Sequence, residues 1–169
     1  MKKGLFIAAL LLVNVFAFSQ INSVAEAKSI YIYNFSRMVQ WPTESYSNGF
    51  TIGVIGANEV YSYLVPYVKN KKVGNLPITV KKFDDASGLS QCNIIYIGNS
   101  KVQHFSEIVS RLQGSNSLII TEKKGMINSG AAIDLYLDLD QSKLKFVLNT
   151  SNAEKYDLTV SKGLMDMAM

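Results

Sequence analysis

The amino-acid sequence predicts an α/β fold of three layers: a mostly parallel sheet of about six strands with a C-terminal antiparallel hairpin, flanked by helices. Two observations carry that expectation. Up to residue 121, short continuous apolar runs such as FTIGVI, CNIIYI and SLII alternate with segments of helical periodicity. That is the pattern of strands buried on both faces and joined by crossover helices. After residue 130 the style changes to strict alternation, with Ile133, Leu135, Leu137 and Leu139 set against Asp134, Tyr136 and Asp138. Antiparallel strands with one wet face read this way.

The chain of 169 residues opens with Lys2 and Lys3, an apolar run from Leu5 to Val13, and Ala17-Phe18-Ser19. A basic start, an apolar stretch and small residues where a peptidase reads predict a signal peptide over residues 1–19, cut after Ser19. The apolar run is shorter than the roughly 20 residues a bilayer span needs, and retention as an anchor is the alternative. Residues 20–169 then form a single domain large enough for a proper core. Without Lys2 and Lys3 the 17 basic residues fall to 15 against 13 acidic ones. So small an excess, with no basic stripe, argues against a nucleic-acid partner. One cysteine, Cys92, excludes an intramolecular disulfide.

The elements follow in order. Ser23 and Glu26 form a capping box that opens a helix, and Pro42 ends it near Gln40 by disfavouring helical geometry at Trp41. Ala27, Tyr31, Phe35, Met38 and Pro42 lie three and four apart as its buried stripe, widened by Ile32 and Val39. Phe50 to Ile55 is a central strand ended by Gly56. Asn58 is expected to cap a helix through Val60, Leu64 and Val68, bent or shortened by Pro66. Leu76 to Phe83 and Cys92 to Ile97 are strands. Ser100 opens a helix through Val102, Phe105, Val109 and Leu112, with Gly114 at its C-terminal stop, and Ser117 to Thr121 is a strand. Ala131 to Leu139 and Lys143 to Asn149 form a hairpin about Gln141-Ser142, so that Asp140 faces Lys143, Asp138 faces Lys145, Tyr136 faces Val147 and Leu137 faces Phe146. Short helices over 151–156 and 161–168 finish the chain.

Catalytic, metal and cofactor signatures are weak. The Asp row of the hairpin has Lys or Asn across the ladder, which charge pairing on a solvated face explains, and no calcium loop is present. One His and one Cys make no zinc set. His104, one step off the apolar stripe, is expected in solvent, and Cys92 in an apolar strand is expected to be inert. There is no Gly-x-Ser-x-Gly elbow. Gly53-Val54-Ile55-Gly56 lacks the remaining glycines and the lysine of a phosphate loop, so a tight strand-to-helix turn is the better account. No catalytic residues, metal ligands or cofactor are therefore assigned. The lysine clusters over 69–72, 81–82 and 123–124 are expected to be solvated faces, with an anionic membrane surface or acidic partner as the alternative.

The layout resembles the YfiR/HmsC family of periplasmic regulators over nearly all of residues 20–169. AKSIYIYNFSRMVQWP is similar to the family's first helix, ending in Tyr-Asn-Phe, an apolar pair and Trp-Pro. FTIGVIG, VGNLPITVKKF, CNIIYIG and SLIITE follow in family order. LKFVLNTSNAEKYDLTVSKGLMDMA matches Phe-x-x-Asn, Leu-x-x-Ser and Leu-x-x-x-Ala. Two departures stand out. The family's Gly-Gly-x-Ile-Asn loop reads Gly130-Ala131-Ala132-Ile133-Asp134, and the cysteine pairs of better-known relatives are missing.

The resemblance implies a non-enzymatic protein, exported to the periplasm, that binds and represses the periplasmic sensor domain of an inner-membrane signalling protein. In the family this is a diguanylate cyclase, which links the regulator to cyclic di-GMP and biofilm. Release by an outer-membrane lipoprotein and a homodimeric state are implied as well. The residues assigned to partner binding or the family motif are Asn34, Phe35, Arg37, Trp41, Pro42, Asn149 and Ser161, with Asn34 and Asn149 expected to be buried and hydrogen-bonded to backbone. The alternative is a small-molecule-binding module serving a sensor or transporter. Its pocket would lie at the carboxyl ends of the parallel strands, at Gly56, Asn58, Gly98 and Asn99.

Overall fold

The computed structural model describes residues 23–46 and 49–168; the expected signal peptide lies outside them. Its elements in chain order are α1 (Val24–Met38), β1 (Val39–Gln40), β2 (Phe50–Ile55), α2 (Asn58–Val68), β3 (Lys72–Val73), β4 (Leu76–Phe83), β5 (Ile94–Ile97), α3 (Phe105–Arg111), β6 (Leu118–Thr121), β7 (Ile133–Asp138), β8 (Lys143–Leu148), α4 (Thr150–Glu154), β9 (Thr159–Val160) and α5 (Lys162–Met167). The main sheet has seven strands in the order β3-β4-β2-β5-β6-β7-β8, and β1 pairs with β9 in a separate ribbon. Strands β4, β2, β5, β6 and β7 are parallel; β3 and β8 are added antiparallel at the two edges.

Burial drives this arrangement. Ile52, Val54, Ile94, Tyr96, Leu118 and Ile120 face α1 and α2 in one apolar layer, while Ile55, Ile95, Ile97 and Ile119 face α3 in another. With both faces covered, the central strands need no polar alternation, which is why they read as continuous apolar runs. The expected three layers are present. The sheet gains one strand over the expected six because β3, two residues long, carries no periodicity.

Several local expectations change. Helix α1 begins as foreseen, with the Glu26 amide donating to Ser23 Oγ at 3.0 Å. It stops at Met38, and Val39–Gln40 pair instead with Thr159–Val160. Its fully buried seam runs through Ala25, Ser29, Ile32, Phe35 and Ser36, rotated from the expected stripe. Two serines sit on that seam with their hydroxyls satisfied: Ser29 Oγ donates to Ala25 O and also reaches Val60 O of α2 at 3.2 Å, and Ser36 Oγ donates to Tyr33 O at 2.6 Å. Asn58 is not the cap of α2. Ala57 holds that position, with no side-chain capping bond, and Pro66 is carried within the last turn. Ser100 does not open α3: it lies inside a 3-10 turn over Asn99–His104, capped by Gly98, and α3 begins only at Phe105. His104 is exposed, as expected, beside the Glu107 carboxylate.

The hairpin register also differs. Asp138 pairs with Lys143, Leu137 with Leu144 and Leu135 with Phe146, two residues off the expected ladder. The turn spans four residues, 139–142, with Ser142 at φ 48° and the Asp138 carboxylate accepting from the Gln141 amide at 3.2 Å. That side chain closes the turn two residues early and leaves Leu139 80 % exposed rather than inward. A shift of two preserves the faces, so Lys145 still reaches Asp138 diagonally at 2.6 Å. Asp134 overturns the solvated-row reading. It is fully buried beneath the 3-10 turn Met126–Ser129, with Thr121 Oγ1 donating at 2.8 Å and the Gly125 and Ile127 amides at 2.7 and 3.2 Å.

Candidate functional site

In the parallel part of the sheet the order β4-β2-β5-β6-β7 runs second, first, third, fourth, fifth along the chain. The direction of winding reverses between β2 and β5. At such a reversal the loops leaving the two strands splay to opposite faces, and a crevice opens outside their carboxyl ends. A cavity of about 300 Å³ lies there, lined by Ala25 and Lys28 of α1, by Gly56 to Val60 at the end of β2 and the start of α2, and by Glu122 after β6.

Two glycines bring the turns after β2 and β5 into contact. The Gly98 amide donates to Ile55 O at 2.8 Å, and Ser100 Oγ donates to Gly56 O at 2.8 Å. A Cβ on Gly98 would stand 2.2 Å from Gly56 O and 2.6 Å from its carbonyl carbon. Gly98 is therefore required because two backbone turns touch, not to admit a ligand. Gly56, at φ +71°, takes a left-handed conformation that suits a residue without Cβ.

The polar side chains form one cluster around Glu122. The buried Tyr96 hydroxyl donates to Glu122 Oε1 at 2.8 Å, the Asn99 amide donates to Oε2 at 3.0 Å, and Lys28 Nζ lies 3.1 Å from Oε1. Burial first, and then the adjacent Glu122 carboxylate, push the Tyr96 hydroxyl well above the usual phenol range, so it stays a donor. The Lys28 and Glu122 side chains are only 12 % and 11 % exposed. Removing one member of so enclosed a pair leaves the other charge uncompensated, a change of about 3–5 kcal/mol. Glu122 has three partners. Lys28 has one among the described residues, for an ammonium with three donors.

Of the four residues assigned to a pocket, Gly56 and Asn58 line this cavity. Asn99 contributes its amide to Glu122, and Gly98 is buried against Gly56 without lining the cavity. The sequence pattern does not single out Lys28, Glu59, Tyr96 or Glu122 as site residues. One signal was present: Glu122 directly follows an apolar run, at the carboxyl end of a buried strand.

The motif residues fall into two groups. Trp41 is buried, with Nε1 donating to Asn93 O at 3.1 Å and its ring edge-on to Phe50 at 5.0 Å. Phe35 packs edge-on to Phe146 at 5.1 Å. Asn149 and Ser161 cap α4 and α5, accepting from the amides of Asn152 and Leu164, and the Ser161 amide donates to Met38 O at 2.9 Å. Pro42, half-buried, follows Trp41 and accepts from the Ser45 amide. These residues tie the end of α1 to the end of the chain. Asn93 does similar work unforeseen: its Oδ1 accepts from the Thr51 amide and its Nδ2 donates to Ser45 O.

Asn34 and Arg37 are exposed on α1, so Asn34 is not a buried packing residue, and Trp41 does not share their face. Beside them Tyr33 and Tyr67 meet edge-on at 5.8 Å, Lys71 Nζ stands over both rings, and Arg37 lies 5.8 Å from the Tyr33 centroid.

Cys92 lines a different cavity, of about 240 Å³, at the amino ends of the strands with Thr51 and Asn93; His104 lies elsewhere, beside Asp85. Burial pushes the Cys92 thiol up to about 11, so it is protonated near neutrality. Among the described residues no helix is long and apolar enough to cross a membrane, and no group of three His, Cys, Asp or Glu is placed to hold a metal.

Fold and crevice define a doubly wound α/β domain with a charged switch-point site. The chain belongs to the YfiR/HmsC-like family (DUF4154), whose family model matches residues 25–169. Two solved structures are similar. One is described as the ABC domain in complex with L-Trp from Streptococcus pneumoniae (16% identity, TM-score 0.56, 85% of this chain and 59% of that one). The other is a conserved domain protein from Vibrio cholerae O1 biovar eltor (12% identity, TM-score 0.56, 87% of this chain and 60% of that one). This chain thus spans about three-fifths of either, and the likeness is one of fold. No curated relative matches the sequence.

Proposed function

We propose that this protein is a non-enzymatic periplasmic regulator that binds and represses the periplasmic sensor domain of an inner-membrane signalling protein, a diguanylate cyclase, and so restrains cyclic di-GMP and biofilm. The family match over residues 25–169 supports this reading. The contact face is the exposed side of α1 and α2, where Asn34, Arg37, Tyr33, Tyr67 and Lys71 gather. Tyrosine and arginine are the side chains that most often anchor interfaces. Release by an outer-membrane lipoprotein and a homodimeric state belong to the same proposal. Deleting the gene should raise cyclic di-GMP and adhesion, and crosslinking in the native cell should recover a membrane sensor protein. Unchanged cyclic di-GMP and adhesion in the deletion strain would sink the signalling role.

A second reading is favoured by the crevice itself: a module that senses a small molecule at the switch point between β2 and β5. The Lys28–Glu122 pair lining a cavity of about 300 Å³ supports it, as does a similar fold described in complex with L-Trp. A rise in melting temperature with one compound of a metabolite screen would establish it, because a ligand at 100 times its dissociation constant adds about 2.7 kcal/mol.

A further inference from the structure

We infer that the switch-point crevice takes a small zwitterion, a molecule bearing one carboxylate and one ammonium, with Lys28 receiving the carboxylate and Glu59 the ammonium. The inference rests on the small-molecule reading of the crevice and names its ligand class.

The charges of the lining select that class. Lys28, Glu59 and Glu122 are the ionisable side chains around the cavity, one positive and two negative. Glu122 is held by Tyr96, Asn99 and Lys28, which leaves it little capacity for a ligand. Lys28 is the converse: 12 % exposed and lining the cavity, with Glu122 its one partner among the described residues, so two of its three N–H donors have no partner among them. An enclosed ammonium with open donors calls for an anionic oxygen. A phosphate dianion would bring two negative charges to a lining already net negative. A plain carboxylate would still leave the Glu59 charge unanswered. A zwitterion presents its anion to Lys28 and its cation to exposed Glu59, and leaves the net charge unchanged. The first turn of α2 adds support: it lines the same cavity and carries no side-chain cap, so its amides favour the negative end of the ligand. The walls of Val24, Ala25, Ala57 and Val60 fit a short apolar body.

The test uses the exported protein and four compound sets: α-amino acids, the matching amines without carboxylate, the matching acids without ammonium, and inorganic phosphate. Melting temperature and titration calorimetry report binding. Amide NMR shifts at Asn58, Glu59 and Val60 locate it in the wild type without any variant. At least one amino acid should bind at those amides, and its amine and acid counterparts about tenfold more weakly or worse. Glu59→Gln, at an exposed position, should weaken the amino acid about tenfold while leaving the acid unchanged. The double variant Lys28→Met/Glu122→Gln removes the buried pair as a unit and should abolish binding of both. Binding led by phosphate or amines at those amides, or amino-acid binding that Glu59→Gln leaves intact, overturns the zwitterion and keeps the small-molecule reading. Shifts confined to other regions, or no binding by any compound, overturn both.

Discussion

Replacing Asp134 by asparagine and by alanine separates the charge of this side chain from its hydrogen bonding. Asp134 is fully buried, and its carboxylate accepts from Thr121 Oγ1 on one oxygen and from the Gly125 and Ile127 amides on the other. Alanine removes all three acceptor contacts. Thr121 can still donate to Lys123 O, 3.2 Å away, but the two amides lose their partner. At roughly 1–3 kcal/mol for each partly buried donor left unsatisfied, the expected destabilisation is about 3 kcal/mol, or ~6–12 °C in melting temperature for a domain of this size. Asparagine behaves differently. Its carbonyl can serve the two amides and its amide can donate to Thr121 Oγ1, while the threonine hydroxyl turns to Lys123 O. Every group keeps a partner, so Asp134→Asn should stay within about 1 kcal/mol of wild type. Urea denaturation with a common slope checks both numbers. Equal losses in the two variants, or an alanine variant as stable as wild type, would refute the hydrogen-bond reasoning.

Three further predictions come from the same structure. Gly98→Ala drives a Cβ to 2.2 Å from Gly56 O, a backbone clash that side-chain rotation cannot relieve. It should cost about 3 kcal/mol, read by urea denaturation, and disturb NMR signals on both sides of the crevice. Trp41→Phe deletes the donor to Asn93 O but leaves that carbonyl its bond from the Leu118 amide. A loss of about 1–2 kcal/mol is expected by urea denaturation, and one above 4 would show that Trp41 does more. For Cys92, burial raises the folded-state pKa to about 11 from an ordinary 9.0. The fold thus favours the neutral thiol, and its contribution is complete below pH 9 and lost as pH rises toward 11, on the order of 2–3 kcal/mol. Cys92→Ala should flatten that alkaline limb relative to wild type in pH-dependent unfolding.

What was legible in the sequence was whatever periodicity and capping control. Phe50–Ile55 and Leu76–Phe83 were read to the residue because each is bounded by strong turn signals and buried in a regular way. The two-residue strands β1, β3 and β9 were not, since a pair of residues has no period. Hairpin register is not legible for a related reason. Alternation fixes only the face of each residue, and shifts of two leave it unchanged; the choice fell to Asp138 bonding the Gln141 amide, an interaction inside the turn. The burial of Asp134 is not legible because its cover arrives from a 3-10 segment with no apolar pattern of its own.

The site was half legible for a deeper reason. Topology alone places a crevice at the switch point, and the order of strands and helices was enough to name Gly56, Asn58, Gly98 and Asn99. The charges that give the crevice its chemistry come from elsewhere in the chain. Lys28 lies on the second turn of α1 and Glu122 one step past β6, 94 positions later. Each lies inside a family-like segment, Lys28 in AKSIYIYNFSRMVQWP and Glu122 in SLIITE, but no local spacing joins two residues so far apart. They meet because α1 shares one apolar layer with the inner face of the sheet, and because Tyr96 and the Asn99 amide hold Glu122 at the end of the neighbouring strand. The family signature at Trp41 marks a different requirement. Its residues lock α1 in place by pairing Val39–Gln40 with Thr159–Val160 and by bonding Ser161 to Met38. Motif and crevice are thus connected through one helix. The residues that make the chain recognisable hold its carboxyl end, and the residue that gives the crevice its open cation stands near its amino end.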